Sequence, residues 1–242
     1  MYTIGLFFLA VYVGCGVLLF VIQRSLIYFP TEPLSHDYKE VTFENGGEYL
    51  KTVVLNSGKK NAILYFGGNS EAVVLNGAKY EQQFSDYSVY LVNYRGYGGS
   101  SGIPDEETLY ADALYIYDKL LSSYNGIVVI GRSLGSGVAC YLASERNVEK
   151  LVLVTPYDSI QRIAQKRFPL YPMSLLLKDR FNSSSRADRI NAEVLILAAE
   201  DDQVVGRVHT ERLITSLAHV SPSVEIIEGS KQKKQTEKYC SV

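Results

Sequence analysis

The pattern of apolar and polar positions divides the chain into an uncharged N-terminal segment and an alternation of strand-like and helix-like segments. Short runs rich in β-branched residues predict strands at 50–56, 62–66, 88–94, 126–130, 150–155, 194–198 and 224–227. Helix-like segments lie between them at 71–84, 106–122, 136–144 and 208–217. The runs at 127–130, 151–154 and 194–197 are apolar throughout, as strands buried on both faces of a parallel sheet must be. This alternation predicts an α/β fold with a doubly wound, mostly parallel sheet.

The N-terminal segment has the length and composition of a membrane span. Residues 1–22 carry no charged side chain, and 4–22 are apolar almost throughout. Those 19 residues would form a helix of roughly 28 Å, close to the thickness of a bilayer's hydrocarbon core. A cleaved signal peptide would need a basic start and a small-residue cleavage site, and neither is present. We therefore expect residues 1–23 to form an uncleaved, single-pass anchor; a buried core helix is the alternative.

The orientation of that anchor follows from one charge. Arg24 is the only charged residue near either end of the segment. Because positively charged residues favour the cytoplasmic side of a membrane, Arg24 places the following domain in the cytoplasm.

The rest of the chain, residues 24–229, has the composition of one globular domain. The sequence is 47% hydrophobic and 21% charged. Its 24 basic residues against 26 acidic ones leave no excess of positive charge with which to attract nucleic acid. Three widely spaced cysteines and 3 histidines fit neither a disulfide framework nor a metal cluster. We accordingly expect no metal, no organic cofactor and no nucleic-acid partner, and we interpret Cys140 as a core residue.

The most informative motif lies between the predicted strand at 126–130 and the predicted helix at 136–144. It reads Gly131-Arg132-Ser133-Leu134-Gly135, a G-x-S-x-G pattern. In this context the serine occupies a tight turn, and the following helix directs backbone N–H groups at negative charge that develops on a substrate. A phosphate-binding turn is the alternative, but the segment lacks both glycine-rich phosphate signatures. The motif predicts that Ser133 is a nucleophile.

Three further segments are candidates for shaping the site. A Gly67-Gly68-Asn69 turn follows the strand at 62–66 and can bring a backbone N–H close to a reacting carbonyl; a simple glycine turn is the alternative. The glycine- and tyrosine-rich loop at 93–104 is expected to shape a pocket wall. Residues 161–189, with apolar stretches at 168–172 and 175–177, predict a cap that covers acyl chains or merely packs on the sheet.

Together these motifs resemble the α/β-hydrolase superfamily. More narrowly, with the segment Gln23-Arg-Ser-Leu-Ile-Tyr-Phe-Pro30, they resemble its membrane-anchored serine aminopeptidase-like branch, which is similar to the protein depalmitoylases. The resemblance covers residues 1–229. It implies a Ser-His-Asp mechanism acting on ester, thioester or amide bonds of a small or acylated substrate.

The resemblance also assigns individual residues. It makes Ser133 the nucleophile and Asp202, which precedes x-Val, the acid in preference to Asp201; a solvated acidic loop is the alternative for either. The oxyanion-hole donors would be the backbone N–H groups of Leu134 and of Asn69 or Gly68.

The family pattern fails at the histidine. Gln232 stands where the resemblance places the imidazole, and residues 230–242 form a polar tail where the family has its histidine loop and last helix. Three hypotheses follow: a membrane-bound serine hydrolase whose base is supplied unconventionally or lost at the C-terminus, a catalytically inactive hydrolase fold that binds lipid-like ligands or partners, and a product of an altered reading frame near Gly229. We favour the first as the function of the fold. For this chain itself we expect little esterase activity and exposed apolar surface on the last strand.

Overall fold

A computed structural model describes residues 2–231. The first two residues of the predicted tail, 230 and 231, end the last strand, and the tail from Gln232 onwards lies outside the described residues. The elements, in chain order, are α1 (Tyr2–Ile27), β1 (Lys39–Asn45), β2 (Glu48–Leu55), β3 (Asn61–Phe66), α2 (Gly77–Gln83), β4 (Tyr87–Val92), α3 (Glu106–Leu121), β5 (Ile127–Arg132), α4 (Leu134–Glu145), β6 (Lys150–Val154), α5 (Ile160–Arg167), α6 (Met173–Leu176), β7 (Glu193–Asp201), α7 (Arg207–Ser216) and β8 (Ser223–Lys231).

The eight strands form one sheet in the order β1-β2-β4-β3-β5-β6-β7-β8. The β1–β2 and β2–β4 pairs are antiparallel, and the remaining pairs are parallel. The predicted α/β fold with a mostly parallel sheet is therefore confirmed. The carboxyl ends of β3, β5, β6 and β7 lie along one edge, where sites form in such sheets.

Two local features differ from the sequence prediction. β1 was not predicted, because it is an edge strand that alternates exposed and half-buried positions and has no continuous apolar run. It turns into β2 through Gly46 and Gly47, whose φ angles of +61° and +79° favour glycine. The predicted helix at 71–84 is a 3-10 turn at Val73–Asn76 followed by α2.

The core lies on both faces of the sheet. On one face α3 and α4 cover the central strands, and Cys140 of α4 is fully buried there, in agreement with its interpretation as a core residue. Burial raises the pKa of the Cys140 thiol to about 12, so the thiol is inert at neutral pH. On the other face, Tyr80 and Phe84 pack against the buried side chains of β2 to β5. The last strand exposes apolar surface as expected, with Val224 and Ile226 41% and 51% exposed.

α1 is exposed along nearly its whole length and has a mean hydropathy of 2.6 over its most apolar 18 residues. By length and composition this helix could cross a membrane. The segment predicted as a cap forms α5, α6 and two short 3-10 turns between β6 and β7. This cap packs against α1 as well as against the sheet domain.

Candidate active site

Ser133 occupies a strained turn between β5 and α4. Its φ of +48° and ψ of −115° lie outside the regions that residues with a side chain normally adopt. The Ser133 N–H donates to the carbonyl of Val154 at 2.9 Å, and the Ser133 carbonyl accepts from the N–H and the hydroxyl of Ser136 at 2.9 Å and 2.6 Å. Hydrogen bonds from both sides therefore hold the conformation that the G-x-S-x-G motif predicts.

The two glycines of the motif allow the backbone to approach closely. A Cβ atom on Gly131 would lie 2.4 Å from the carbonyl oxygen of Gly135, and one on Gly135 would lie 2.1 Å from that of Phe66. Both obstacles are backbone atoms, which cannot move aside without displacing a strand or a helix. The motif thus needs glycine at both positions because α4 begins in contact with β3 and β5.

The Gly67-Gly68-Asn69 turn lies beside the nucleophile. A Cβ atom on Gly68 would be 3.6 Å from the Cβ of Ser133. The Gly68 N–H donates to Glu71 Oε2 at 2.6 Å, so this N–H is already engaged. Of the two donors that the sequence left open in this turn, the N–H of Asn69 is consequently the better placed. Its role in an oxyanion hole, with that of Leu134, stays a prediction.

Glu71 joins this turn to the nucleophile turn. Its carboxylate accepts from the Tyr65 hydroxyl at 2.6 Å, from Asn76 Nδ2 at 2.7 Å and from Arg132 Nη1 at 3.0 Å, in addition to Gly68. Burial and the negative charge of Glu71 raise the pKa of Tyr65 well above its usual value, so Tyr65 stays a donor. Glu71 was not predicted as a site residue, because a single acidic residue just after the Gly-Gly-Asn turn has the same sequence signal as a surface carboxylate.

The tyrosine-rich loop at 93–104 supports the same turn. The Tyr94 hydroxyl donates to the carbonyl of Gly67 at 2.8 Å. The Tyr97 hydroxyl donates to Asn69 Oδ1 at 3.2 Å, and that oxygen also accepts the N–H of Phe29 at 2.9 Å. The loop thus orients the residues that line the site rather than supplying chemistry.

Asp202 immediately follows β7 and is buried. Its Oδ1 accepts the N–H groups of Val204 and Val205 at 3.0 Å and 2.9 Å. Its Oδ2 is buried and has no hydrogen-bond partner among residues 2–231. Burial raises the pKa of Asp202, an effect that the backbone N–H donors oppose. Asp201, by contrast, is exposed and accepts from Gln203. The preference for Asp202 as the acid stays a prediction.

Ser133 and the loop that follows Asp202 meet at one pocket. Ser133 and Val204, two residues beyond Asp202, both line a cavity of about 560 Å³. Gly68, Asn69 and Phe29 line it as well. The structure therefore brings the predicted serine and the predicted oxyanion turn together in one cavity, which Val204 also lines.

The three histidines are engaged elsewhere. His36 Nε2 lies 3.4 Å from Glu40, and His219 Nε2 contacts the carbonyl of Ile190 at 2.9 Å. His209 Nδ1 lies 2.7 Å from Asp158 Oδ1. None of these contacts involves Ser133.

Comparison with known proteins agrees with this geometry. The model of the alpha/beta hydrolase fold family matches residues 66–183, which include both the Gly-Gly-Asn turn and the nucleophile turn. An uncharacterized protein of Mycobacterium tuberculosis is 33% identical over 233 residues, covering 85% of this chain and 80% of that protein. The lysophosphatidylserine lipase ABHD12 of Gallus gallus is 30% identical over 161 residues, which are 57% of this chain and 41% of the lipase.

A solved structure extends the likeness to nearly the whole fold. An esterase of Pyrococcus furiosus superposes with a TM-score of 0.68 at 17% identity, covering 89% of this chain and 92% of the esterase. At this identity the likeness concerns the fold alone. With the sheet order, the strained serine and the relatives in agreement, the chain belongs to the α/β-hydrolase superfamily.

Proposed function

We propose that the chain is a membrane-anchored serine hydrolase that cleaves an ester, thioester or amide bond in a small acylated substrate. The observation that carries this proposal is Ser133 at φ +48° between Gly131 and Gly135, where an added Cβ would lie 2.4 Å and 2.1 Å from backbone oxygens. Such strain costs free energy and persists where it exposes a reactive group. The esterase and lipase names of the similar proteins support a hydrolase, and the lipase name favours a lipid-like substrate.

In the proposed reaction the Ser133 hydroxyl oxygen attacks the substrate carbonyl while its proton passes to a general base. The resulting oxyanion accepts hydrogen bonds from the N–H groups of Leu134 and Asn69. The base returns the proton to the leaving group, and water then hydrolyses the acyl-serine ester by the same two steps. Asp202, through the buried Oδ2, would hold the base as an imidazole in the required tautomer.

The general base is the missing component. An imidazole at position 232 would complete the order Ser…Asp…His, whereas an amide such as that of Gln232 cannot take a proton at neutral pH. We therefore expect the present chain to turn over esters only slowly.

The membrane part of the proposal rests on α1. This helix of 26 residues is apolar and exposed, and Arg24 near its end favours a cytoplasmic domain. The narrower assignment to a serine aminopeptidase-like or depalmitoylase-like branch stays a prediction.

The test restores the base and follows the serine. In the full-length protein, Gln232→His should increase hydrolysis of short acyl esters severalfold or more and speed labelling by a fluorophosphonate. Adding Ser133→Ala should abolish both signals, whereas Ser122→Ala, on an exposed serine after α3, should change neither. If Gln232→His gives no gain and Ser133 is not labelled in either background, the hydrolase proposal is wrong.

That negative result would favour the second candidate, a hydrolase fold that binds lipid-like ligands or partners without turning them over. The observation behind this alternative is that His36, His209 and His219 are each engaged by another group.

A further inference from the structure

The cap does not only touch the end of α1; it extends along the helix. The Tyr12 hydroxyl donates to the carbonyl of Leu170 at 2.7 Å, and the Tyr171 hydroxyl donates to the carbonyl of Tyr12 at 3.2 Å. The two tyrosine rings stack with centroids 4.7 Å apart. A Cβ atom on Gly16, one turn further along, would lie 3.3 Å from the Tyr171 ring, so the small residue makes room for this contact. The tip of the cap is thus fixed to the middle of α1.

A second set of contacts fixes the other end of the cap. Gln23 Oε1 accepts the N–H of Lys178 at 2.6 Å, and Arg24 pairs with Asp179 at 3.0 Å. Lys178 Nζ lies 4.5 Å from the centroid of the Phe20 ring. The contacts from Tyr12 to Arg24 span about 18 Å along the helix axis, so the cap and α1 form an extended interface.

The cap exposes large apolar side chains near this seam. Leu170 and Leu175 are 77% and 79% exposed. Beside them, an apolar groove of about 330 Å³ separates α1 from α5 and α6, lined among others by Leu19, Leu26 and Phe168. Exposed leucines next to an apolar groove are costly in water and favourable in hydrocarbon.

The charges of the cap are opposite in sign to those of the chain as a whole. Residues 160–180 contain five basic side chains and one acidic one, Asp179, although the chain carries a net charge of −2. The basic residues are Arg162, Lys166, Arg167, Lys178 and Arg180. On α5, Ile160, Ile163 and Arg167 line the apolar groove, whereas Arg162 and Lys166 line a separate cavity together with charged residues of α7. An apolar side beside a basic side is the pattern of elements that lie in a membrane interface.

We propose that residues 160–180 of the cap form a membrane-inserted surface. Its tip, at Leu170 and Leu175, enters the acyl region beside α1, and Lys166, Arg167 and Lys178 meet the anionic headgroups of the same leaflet. This rests on the proposed anchoring by α1. The depth of the inserted tip follows from its contacts with α1. Lys178, at the headgroups, lies beside Phe20, and Leu170 lies beside Tyr12, eight residues earlier on the helix. Leu170 is therefore about 12 Å deeper than the headgroups, which is within one leaflet. The groove between α1 and α5 then opens to lipid acyl chains.

The test measures the depth of single positions in the full-length protein. Cys15→Ser and Cys240→Ser leave only the buried Cys140, and Leu170→Cys then carries an environment-sensitive fluorophore. Two matched positions accompany it: Val11→Cys on α1, and Leu121→Cys, an exposed leucine at the far end of α3. The proteins are placed in nanodiscs of phosphatidylcholine with or without phosphatidylserine. Quenching by lipids with nitroxide-labelled acyl chains is compared with quenching by aqueous iodide.

We expect the probe at position 170 to be quenched by the acyl-chain nitroxide severalfold more strongly than the probe at 121, and to approach the probe at 11. Removing phosphatidylserine should make position 170 shallower, and Arg167→Gln should reduce this dependence on lipid charge. If position 170 is open to iodide like position 121 while position 11 is protected, the cap proposal is wrong and the anchor stands. If position 11 is open to iodide as well, both the anchor and the inserted cap are wrong.

Discussion

Two buried aspartates follow neighbouring parallel strands, Asp158 after β6 and Asp202 after β7, and their surroundings differ. Asp158 is fully buried, and both its carboxylate oxygens are used. Oδ1 lies 2.7 Å from the N–H nitrogen of Ser159 and 2.7 Å from His209 Nδ1, and Oδ2 lies 2.9 Å from Arg162 Nη1. Asp202 uses Oδ1 for two backbone N–H groups, whereas Oδ2 has no hydrogen-bond partner among residues 2–231.

The difference separates a structural carboxylate from a candidate catalytic one. Both aspartates are buried, so burial alone does not distinguish a structural role from a catalytic one. A carboxylate with every oxygen paired stabilises the fold, because its desolvation is offset by hydrogen bonds and opposite charge. One with an unused buried oxygen is poorly compensated unless another donor joins it, and a triad acid receives such a donor from the histidine. Asp158 and His209 tie α7 to the loop after β6, although they look like half of a triad.

The largest expected effect comes from removing each carboxylate. Asp158→Ala leaves His209, Arg162 and the Ser159 N–H without their acceptor, and should lower the free energy of unfolding by about 2–4 kcal/mol. Most of this loss arises at His209 and the backbone, because the Arg162 side chain is 47% exposed. Asp202→Ala should cost about 1 kcal/mol, since it removes the acceptor of two backbone N–H groups only. Thermal unfolding of the detergent-solubilised protein measures both; equal losses would contradict the distinction.

Sequence patterns could predict the fold, and could name the residues of the candidate site, because these patterns depend on local physics. Continuous apolar runs give buried parallel strands, and the glycines around Ser133 reflect a close approach of backbones that only glycine permits. Asp202 was assigned through a family pattern that reflects its position at a strand end. These features are encoded within a few residues of one another.

Long-range pairings were not predictable in the same way. Glu71 and Arg132 are 61 positions apart, which is far beyond the length of a local motif. A single acidic residue after a glycine turn does not indicate which residue will pair with it. The pairing of His209 with Asp158 across 51 positions was equally hidden. The contact of Tyr12 with Leu170 depends on how the cap folds back along α1. Each of these three contacts depends on tertiary packing, which the periodicity of apolar residues does not indicate.

A smaller effect is expected at His209. His209→Leu removes the donor to Asp158 and should cost about 1–3 kcal/mol, whereas His209→Asn, whose amide nitrogen occupies a similar position to Nδ1, should cost less. The same unfolding measurement compares the two. Neither change should affect fluorophosphonate labelling of Ser133 in the Gln232→His background. Loss of labelling by a well-folded His209→Asn protein would instead make His209 the base.

The smallest effect, and the most specific, is a pH dependence at Asp202. Burial raises the pKa of this carboxyl, so the folded protein binds its proton more readily than the unfolded chain does. The stability that this difference contributes is complete below the unfolded pKa, about 3.9, and is lost as the pH rises through the raised folded value. Asp202→Asn stays neutral and keeps an oxygen for Val204 and Val205. The melting temperature of the variant, relative to the parent, should therefore rise with increasing pH.

Asp118 provides a control of opposite sign. The hydrogen-bonded Arg146 guanidinium lowers the pKa of Asp118, so its contribution to stability is present above the unfolded pKa and is lost as the pH falls through the lowered folded value. Asp118→Asn should therefore lower the melting temperature near neutral pH, by a small amount because the pair is exposed, and the loss should vanish in acid. In the Gln232→His background, Asp202→Asn should also remove the gain in ester hydrolysis and return the rate to about that of the parent chain, whereas Asp118→Asn should leave the gain unchanged. The difference in melting temperature between Asp202→Asn and the parent should thus rise with pH, whereas the difference between Asp118→Asn and the parent should fall. If both differences change with pH in the same direction, Asp202 does not belong to the proposed site.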